Sequence, residues 1–397
     1  MTDPIPSVET LIARARDLAP VLRQKARETE QNRRVSAETA KLFQDAGFFR
    51  ILQPKRYGGF EMDYGVQMRV AAELGRGCPS SAWVSSVVGC HAWILGMYPD
   101  EAQKDVWGKD HGTLMSSSFA PMEMKLEPAE GGVTVSGRWK FSSGSDLCQW
   151  VQLFGMLPPA NGKGPPDAVF VTLPLDGVKA KVEDTWHVSG LAGTGSNDIV
   201  VDKVFVPAHR ILSFSKLRGG PTPGSAVNPG HIYQISLFAA FPMNLIGAAL
   251  GAAQGALDLV VAGLSDRKAI SQVKIAEQQS VQLRIARASA NANAAEALLL
   301  QTTQNINRLY RSGEDIPLLE RANWRINICF AAELLGQCVD TIFPLLGGRG
   351  LVTTDPVQRA WRDVHAILQH IAIVWDVTAA PYGQVRLGNP WPEMVKI

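Results

Sequence analysis

Cysteine is scarce: Cys78, Cys90, Cys148, Cys329 and Cys338 are the five in 397 residues, with no CxxC spacing. An odd, scattered set excludes a disulfide framework and a clustered zinc site, and fits reduced thiols in the cytoplasm. An excess of charge is also lacking, with 39 Lys and Arg against 37 Asp and Glu for a net +2. Without a basic stripe, nucleic acid is not the expected partner. No run of about 18 uncharged apolar residues stands out as a membrane span. MTDPIPSVET lacks the basic-then-apolar order of a signal peptide. The expectation is a cytoplasmic protein with no membrane anchor. A dinucleotide fingerprint is missing too, because GGRG at 347–350 follows a helical run and not a strand. His187, His209 and His231 have no metal-ligand spacing, so no metal is expected.

What is present is an ordinary globular composition, 46% hydrophobic and 19% charged, long enough for two or three domains. Residues 1–112 carry apolar positions at three-to-four spacing, with Ser36 and Gly47 as start and stop signals of one helix. CPSSAWVSSVVGCHAWILGMY is a small-residue apolar helix that should be buried. Residues 113–215 change to short alternating runs separated by Gly, Pro and Asp, a β domain. Residues 216–397 open on a Gly/Pro loop and return to long helical periods, rich in Ala and Gly around 240–264, as in a helix bundle. The run RGLVTTDPVQRAWRDVHAILQHIAIVWD (349–376) reads as a helix with Arg359 and Arg362 one turn apart, followed by two histidines.

The α–β–α order resembles the acyl-CoA dehydrogenase fold, as do the segments AGFFRILQPKRYGG, TWHVSGLAGTGSNDIVVDKVFVPAHRI and FPLLGGRGLVTTDPVQRAWRDVHA. That resemblance implies an α+β protein with an N-terminal helical domain, a middle β-barrel or sandwich, and a C-terminal four-helix bundle. Dehydrogenases of this fold often carry a catalytic glutamate shortly after the RD pair. Here that region reads LQHIAIVWD, with His370 near the expected place. The phrases RWKFSSGSD, GLAGTGSND, VFVP, QRAWRDVHA and HIAIVWD are more similar to the flavin-dependent aromatic monooxygenases of this fold. These are oxygenase components of two-component systems, such as the 4-hydroxyphenylacetate, seco-steroid phenol and indole or indole-acetate hydroxylases.

The resemblance implies reduced FAD or FMN delivered by an NAD(P)H-dependent flavin reductase, and O2 as co-substrate. One oxygen then passes through a flavin C4a-hydroperoxide to an indole-type or phenolic ring. It also implies a homotetramer, a dimer of dimers. Two other readings compete: an acyl-CoA dehydrogenase with its carboxylate elsewhere, for example Glu296 or Glu333, and a catalytically silent scaffold.

Candidate site residues follow. His91, alone on an apolar helix, reads by itself as a core histidine; the resemblance makes it a substrate ligand or base, with Trp93 as a ring wall. His370 is a core-edge histidine by spacing. By resemblance it is a flavin-side group, cationic against the N1/O2 edge or a proton shuttle tuned modestly around neutrality. Ser117, Ser142 and Ser143 occupy β-domain edges, where Ser is common in any loop; the resemblance implies that they meet the flavin N5/O4 edge or the substrate. Trp139 and Phe141 read as core on alternate positions of one strand, although one could shield the flavin. Gly193, Thr194 and Ser196 lie in a Gly-rich segment suited to close backbone approach to a ligand, or to a plain turn. Arg349, Arg359 and Arg362 suit phosphate or an adjoining subunit; the alternative is ion pairs with Asp363 or Asp355. Tyr233, Phe238 and Phe241 begin the bundle near the expected pocket. Residues 231–250 contain no Lys or Arg, which points to a flat apolar aromatic and not a carboxylate-bearing one.

Overall fold

The computed structural model describes residues 5–159, 162–265, 267–268 and 272–392. The N-terminal helices are α1 (Val8–Gln31), α2 (Ala37–Ala46), α3 (Val66–Gly75), α4 (Pro79–Gly96) and α5 (Asp100–Trp107). Ser36 caps α2, its Oγ accepting from the Thr39 N–H at 3.1 Å, and Gly47 ends it at φ +85°.

Strands occupy the stretch from Met115 to Ser213. They are β1 (Met115–Ser118), β2 (Ala120–Ala129), β3 (Gly132–Ser142), β4 (Trp150–Leu157), β5 (Asp167–Pro174), β6 (Ala180–Glu183), β7 (Asn197–Pro207) and β8 (Ile211–Ser213). One sheet has the order β1-β4-β5-β8, with β1 parallel to β4; the other runs β2-β3-β7-β6 and is antiparallel. Inward residues of both sheets, among them Val135, Trp139, Val151, Leu153, Val171 and Ile199, form one core, so the unit is a sandwich.

The C-terminal helices are α6 (Leu237–Ala240), α7 (Pro242–Leu264), α8 (Gln279–Ser312), α9 (Leu318–Ile342), α10 (Pro356–Leu368) and α11 (Trp375–Arg386). Helices α6–α10 share a single apolar core with α1–α5. The Gly content of α7 has a steric reason: a Cβ on Gly251 would stand 1.9 Å from the Ala72 carbonyl oxygen of α3.

Two corrections to the sequence reading belong here. The segments Leu237–Leu264 and Leu318–Leu351 are long and apolar enough to cross a membrane, contrary to the reading that no such run exists. Their most apolar windows are 72% and 50% buried within the fold, so packing accounts for the composition. The helix read through 349–376 stops at Leu368. His370 lies in the turn before α11, where its backbone N–H bonds to the Ile367 oxygen at 3.0 Å.

Candidate active site

A cavity of about 770 Å³ opens where the β sandwich meets α4, α6, α9 and the turn after α10. His91 enters it from α4, and Ser117 from β1. The His91 Nδ1 is 2.8 Å from the Met115 carbonyl oxygen, and its Nε2 is 2.8 Å from Ser117 Oγ. A carbonyl only accepts, so Nδ1 carries the proton and Nε2 is a bare lone pair. Ser117 must therefore donate its hydroxyl proton to His91, which leaves both Ser117 lone pairs for a ligand. Burial pulls the imidazole down to about 4, against a smaller lift from the Met115 bond, so His91 is neutral around pH 7.

On the β wall, hydroxyls form an oriented chain. Trp83 Nε1–H donates to Ser143 Oγ at 3.0 Å; Ser143 pairs with Ser196 Oγ at 2.7 Å, and Ser196 with Thr194 Oγ1 at 2.7 Å. Thr194 donates to the Leu191 carbonyl at 2.9 Å. One end is a pure donor and the other a pure acceptor, so every proton in the chain points toward Leu191. Ser143 and Ser196 each keep one lone pair, and both line the cavity. Gly144, at φ +67°, lets this turn approach α4, since a Cβ there would meet Val84 at 2.9 Å. Phe141, also at positive φ (+67°), leaves the ladder where the β3–β7 register shifts and packs edge-on against Trp186 at 6.0 Å. A strained aromatic at the cavity rim marks this edge as functional ground.

His370 lines the same cavity, with its ring 5.9 Å from that of Trp83. Its Nδ1 accepts from the Ala372 N–H at 3.2 Å, so Nε2 holds the proton. Burial first, then the Arg325 charge, pull it down to about 4. His370 is here a neutral donor, whereas the sequence reading gives a cation or a proton shuttle tuned modestly around neutrality. Phe119, Phe238 and Phe241 supply the aromatic wall, Phe119 lying 5.5 Å from Phe241.

Several expected site residues stand elsewhere. Trp139 is in the sandwich core, its indole bonded to the Phe154 oxygen at 2.7 Å, and Phe141 takes the cavity position. Trp93 packs on Tyr64 at 4.8 Å and donates to the Ile232 oxygen. Tyr233 is buried, its hydroxyl on the Leu52 oxygen at 3.1 Å. Ser142 donates to Ser116 Oγ at 3.0 Å, outside the lining. Gly193 is pressed against Thr29 and Ser80, and serves packing. Arg359 and Arg362 both pair with Glu30 of α1, at 2.9 and 2.5 Å, and not with Asp363. Arg349 pairs with Asp355 at 2.9 Å.

Residues not anticipated are Trp83, Phe119, Lys140, Trp186 and Arg325, all in the lining. The cation absent from 231–250 arrives instead from α9 as Arg325. Among the described residues, no Asp or Glu lines this cavity. Glu296 is occupied by Gln254 Nε2 at 2.8 Å, and neither it nor Glu333 reaches the lining. No described residue therefore supplies this cavity with the carboxylate base that thioester dehydrogenation needs. No group of three His, Cys, Asp or Glu among the described residues is placed to hold a metal.

Asp363 braces this site from behind. Its Oδ1 accepts from the Leu191 N–H at 2.6 Å, while Oδ2 is buried without a partner. Burial pushes the carboxyl to about 7, against the Leu191 bond and then Arg362. The folded value lies above the ordinary one of 3.8, so the folded state binds this proton more tightly than the unfolded chain. That stabilisation is complete below about pH 4 and is lost as pH rises through 7. Asp363→Asn keeps an acceptor for Leu191 and removes the titration. In urea unfolding, the variant should gain about 2 kcal/mol on the wild type between about pH 5 and 7. Parallel pH profiles for the two proteins would contradict a titrating Asp363.

The helical–β–helical architecture is that of the acyl-CoA dehydrogenase fold. The description "Acyl-CoA dehydrogenase, N-terminal domain" matches residues 8–111, and "Acyl-CoA dehydrogenase, C-terminal domain" matches 245–375. Within that fold, the chain belongs to the oxygenase components of two-component flavin-dependent monooxygenases. It is 35% identical to the oxygenase component of the FADH2-dependent resorcinol hydroxylase of Rhizobium sp. strain MTP-10005, over 95% of this chain and 94% of that protein. It is 35% identical to the flavin-dependent monooxygenase oxygenase subunit HsaA of Rhodococcus jostii RHA1, over 94% and 97%. The crystal structure of 3-HSA hydroxylase from Rhodococcus sp. RHA1 superposes with a TM-score of 0.92 at 34% identity, covering 97% of this chain and 98% of the other. XiaF from Streptomyces sp., solved with FADH2 and glycerol, superposes at 0.88 with 25% identity over 97% and 96%.

Proposed function

We propose that the protein hydroxylates a phenolic ring with reduced FAD, and that Ser117 and His91 relay the phenol proton. The observation that carries this reading is the fixed direction of the Met115–His91–Ser117 chain in a cavity that no carboxylate of the described residues lines. The cavity fits a reduced flavin in chemistry. A reduced ring presents N–H groups, and Ser143 and Ser196 offer it spare lone pairs. His370 Nε2–H and the Lys140 cation suit its anionic form. Phe141 and Trp186 offer ring faces. Relatives or neighbours named with FADH2 favour FAD over FMN.

Reduced flavin, when bound, supplies the two electrons with which O2 yields the inserted oxygen and water. The protein's part is orientation, dryness and proton handling. The phenol donates to a Ser117 lone pair, and as its proton leaves, the Ser117 proton moves to His91 Nε2. The resulting phenolate is the better carbon nucleophile. The aromatic wall of Phe119, Phe238 and Phe241 excludes water from the reacting ring. An NAD(P)H-dependent reductase delivers the reduced flavin. The assembly we assign is a dimer of dimers, consistent with the outward faces of Phe330, Leu351 and Ile371.

The test is rapid mixing of anaerobic protein and reduced FAD with oxygenated buffer, with and without simple phenols. A transient absorbance distinct from both reduced and oxidised flavin, decaying faster with a phenol and giving hydroxylated product, is expected. Direct conversion to oxidised flavin with stoichiometric hydrogen peroxide and no product would sink the reading.

A further inference from the structure

Arg325 is a guanidinium held in the cavity wall without a counter-ion. Its Nη1 donates to the Phe238 carbonyl at 2.8 Å; its Nη2 donates to Thr378 Oγ1 at 3.1 Å and to the Ala372 carbonyl at 3.4 Å. The Nε–H is buried with no acceptor. Of five N–H groups, three are used to pin the fork, and none of the three partners is charged. Arg359 and Arg362 share Glu30, whereas no carboxylate pairs with Arg325 among the described residues. Among the described residues, the lining holds two cations, Lys140 and Arg325, and no acid. Burial already works against the charge. An unpaired cation in a mostly apolar cavity is costly unless its partner arrives with the occupant.

The position of Arg325 says which occupant. Lys140 stands on the β wall beside Phe141, Ser143 and Trp186, where the oriented hydroxyl chain lies. Arg325 stands on the helical wall, tied to Phe238 of α6, whose ring joins Phe241 in the apolar wall facing the ring-binding space. Building on the monooxygenase reading, we propose that Arg325 receives the carboxylate of an aromatic acid. The substrate is then a phenol with an acidic side arm, held by its hydroxyl at Ser117 and by its acid at Arg325. The relatives' names include rings of both kinds, resorcinol without an acid and p-hydroxyphenylacetate and indole-3-acetate with one. Arg325 places this chain with the acids.

The test uses full-length protein with reduced FAD under anaerobic conditions, titrated calorimetrically. The probes are 4-hydroxybenzoate, 4-hydroxyphenylacetate and 3-(4-hydroxyphenyl)propionate, each against its own neutral amide. In the wild type, the acid whose arm spans the gap should bind about tenfold or more tightly than its amide. Arg325→Met should erase that ratio while leaving amide binding intact, and Arg325→Lys should keep part of it. Three acids that bind no better than their amides, or that do not bind at all, would overturn the proposal without any variant. So would an Arg325→Met protein that loses affinity for reduced FAD while its acid-to-amide ratio is unchanged, because the charge would then serve the flavin. Preferred binding of an acid with no hydroxylated product on adding O2 would leave the anion site standing and remove the monooxygenase reading.

Discussion

Replacing His91 by asparagine should lower hydroxylated product by about 10²–10⁴-fold, while oxygen uptake with reduced FAD continues and returns hydrogen peroxide. The Met115 carbonyl fixes the proton on Nδ1, so Nε2 is the acceptor for the Ser117 hydroxyl. An amide at this position offers no basic nitrogen, and Ser117 loses its proton sink. The pH profile separates this role from a packing defect. Because His91 in the fold titrates at about 4, the wild type keeps its acceptor throughout the neutral range and this group adds no acidic limb there. The variant must rely on phenolate formed in water, where an ordinary phenol has a pKa of about 10. Its rate should therefore climb about tenfold per pH unit on the alkaline side. Product yield measured against oxygen consumed, from about pH 6 to 9, gives both readings. A loss that is the same at every pH, or intact yield, would take His91 out of the proton path.

His91 was legible because a single polar residue on an apolar helix is conspicuous, and because the resemblance gave it a task. Ser36 and Gly47 were legible because helix caps are local chemistry. The failures have two causes, partners distant along the chain and local turns of the backbone. Arg359 and Arg362 carry no sequence sign that their partner is Glu30, 329 and 332 residues away. Alternation put Trp139 and Phe141, two residues apart, on one face of the strand. The register shift and the positive φ of Phe141 then decided which one meets the cavity. His370 was read onto a helix because the apolar period continues through HIAIVWD, although α10 ends two residues before it. Its depressed basicity depends on burial and on Arg325, neither of which is visible from spacing. Arg325 itself sits in RANWRINICF, where nothing separates a cavity arginine from a solvated one.

Glu30→Ala should cost about 3 kcal/mol of stability, far more than loss of the exposed Arg349 pair, which should stay within about 1 kcal/mol. Glu30 sits at the end of α1 and receives both Arg359 Nε at 2.9 Å and Arg362 Nη2 at 2.5 Å. Arg359 is only 6% exposed. Removing one carboxylate therefore strands two guanidinium groups, one of them in the interior, and an uncompensated buried charge is the costly case. The partial exposure of Glu30, 22%, keeps the figure at the low end of that range. The effect also reaches the site: Arg362 bonds to the Ser189 oxygen, next to the segment that presents Leu191 to the cavity. Affinity for reduced flavin should fall along with the urea midpoint. Arginines that served as phosphate ligands would behave in the opposite way, since freeing them from Glu30 would tighten flavin binding. A Glu30→Ala protein that unfolds like the wild type and binds reduced FAD more tightly would reverse the assignment of both arginines.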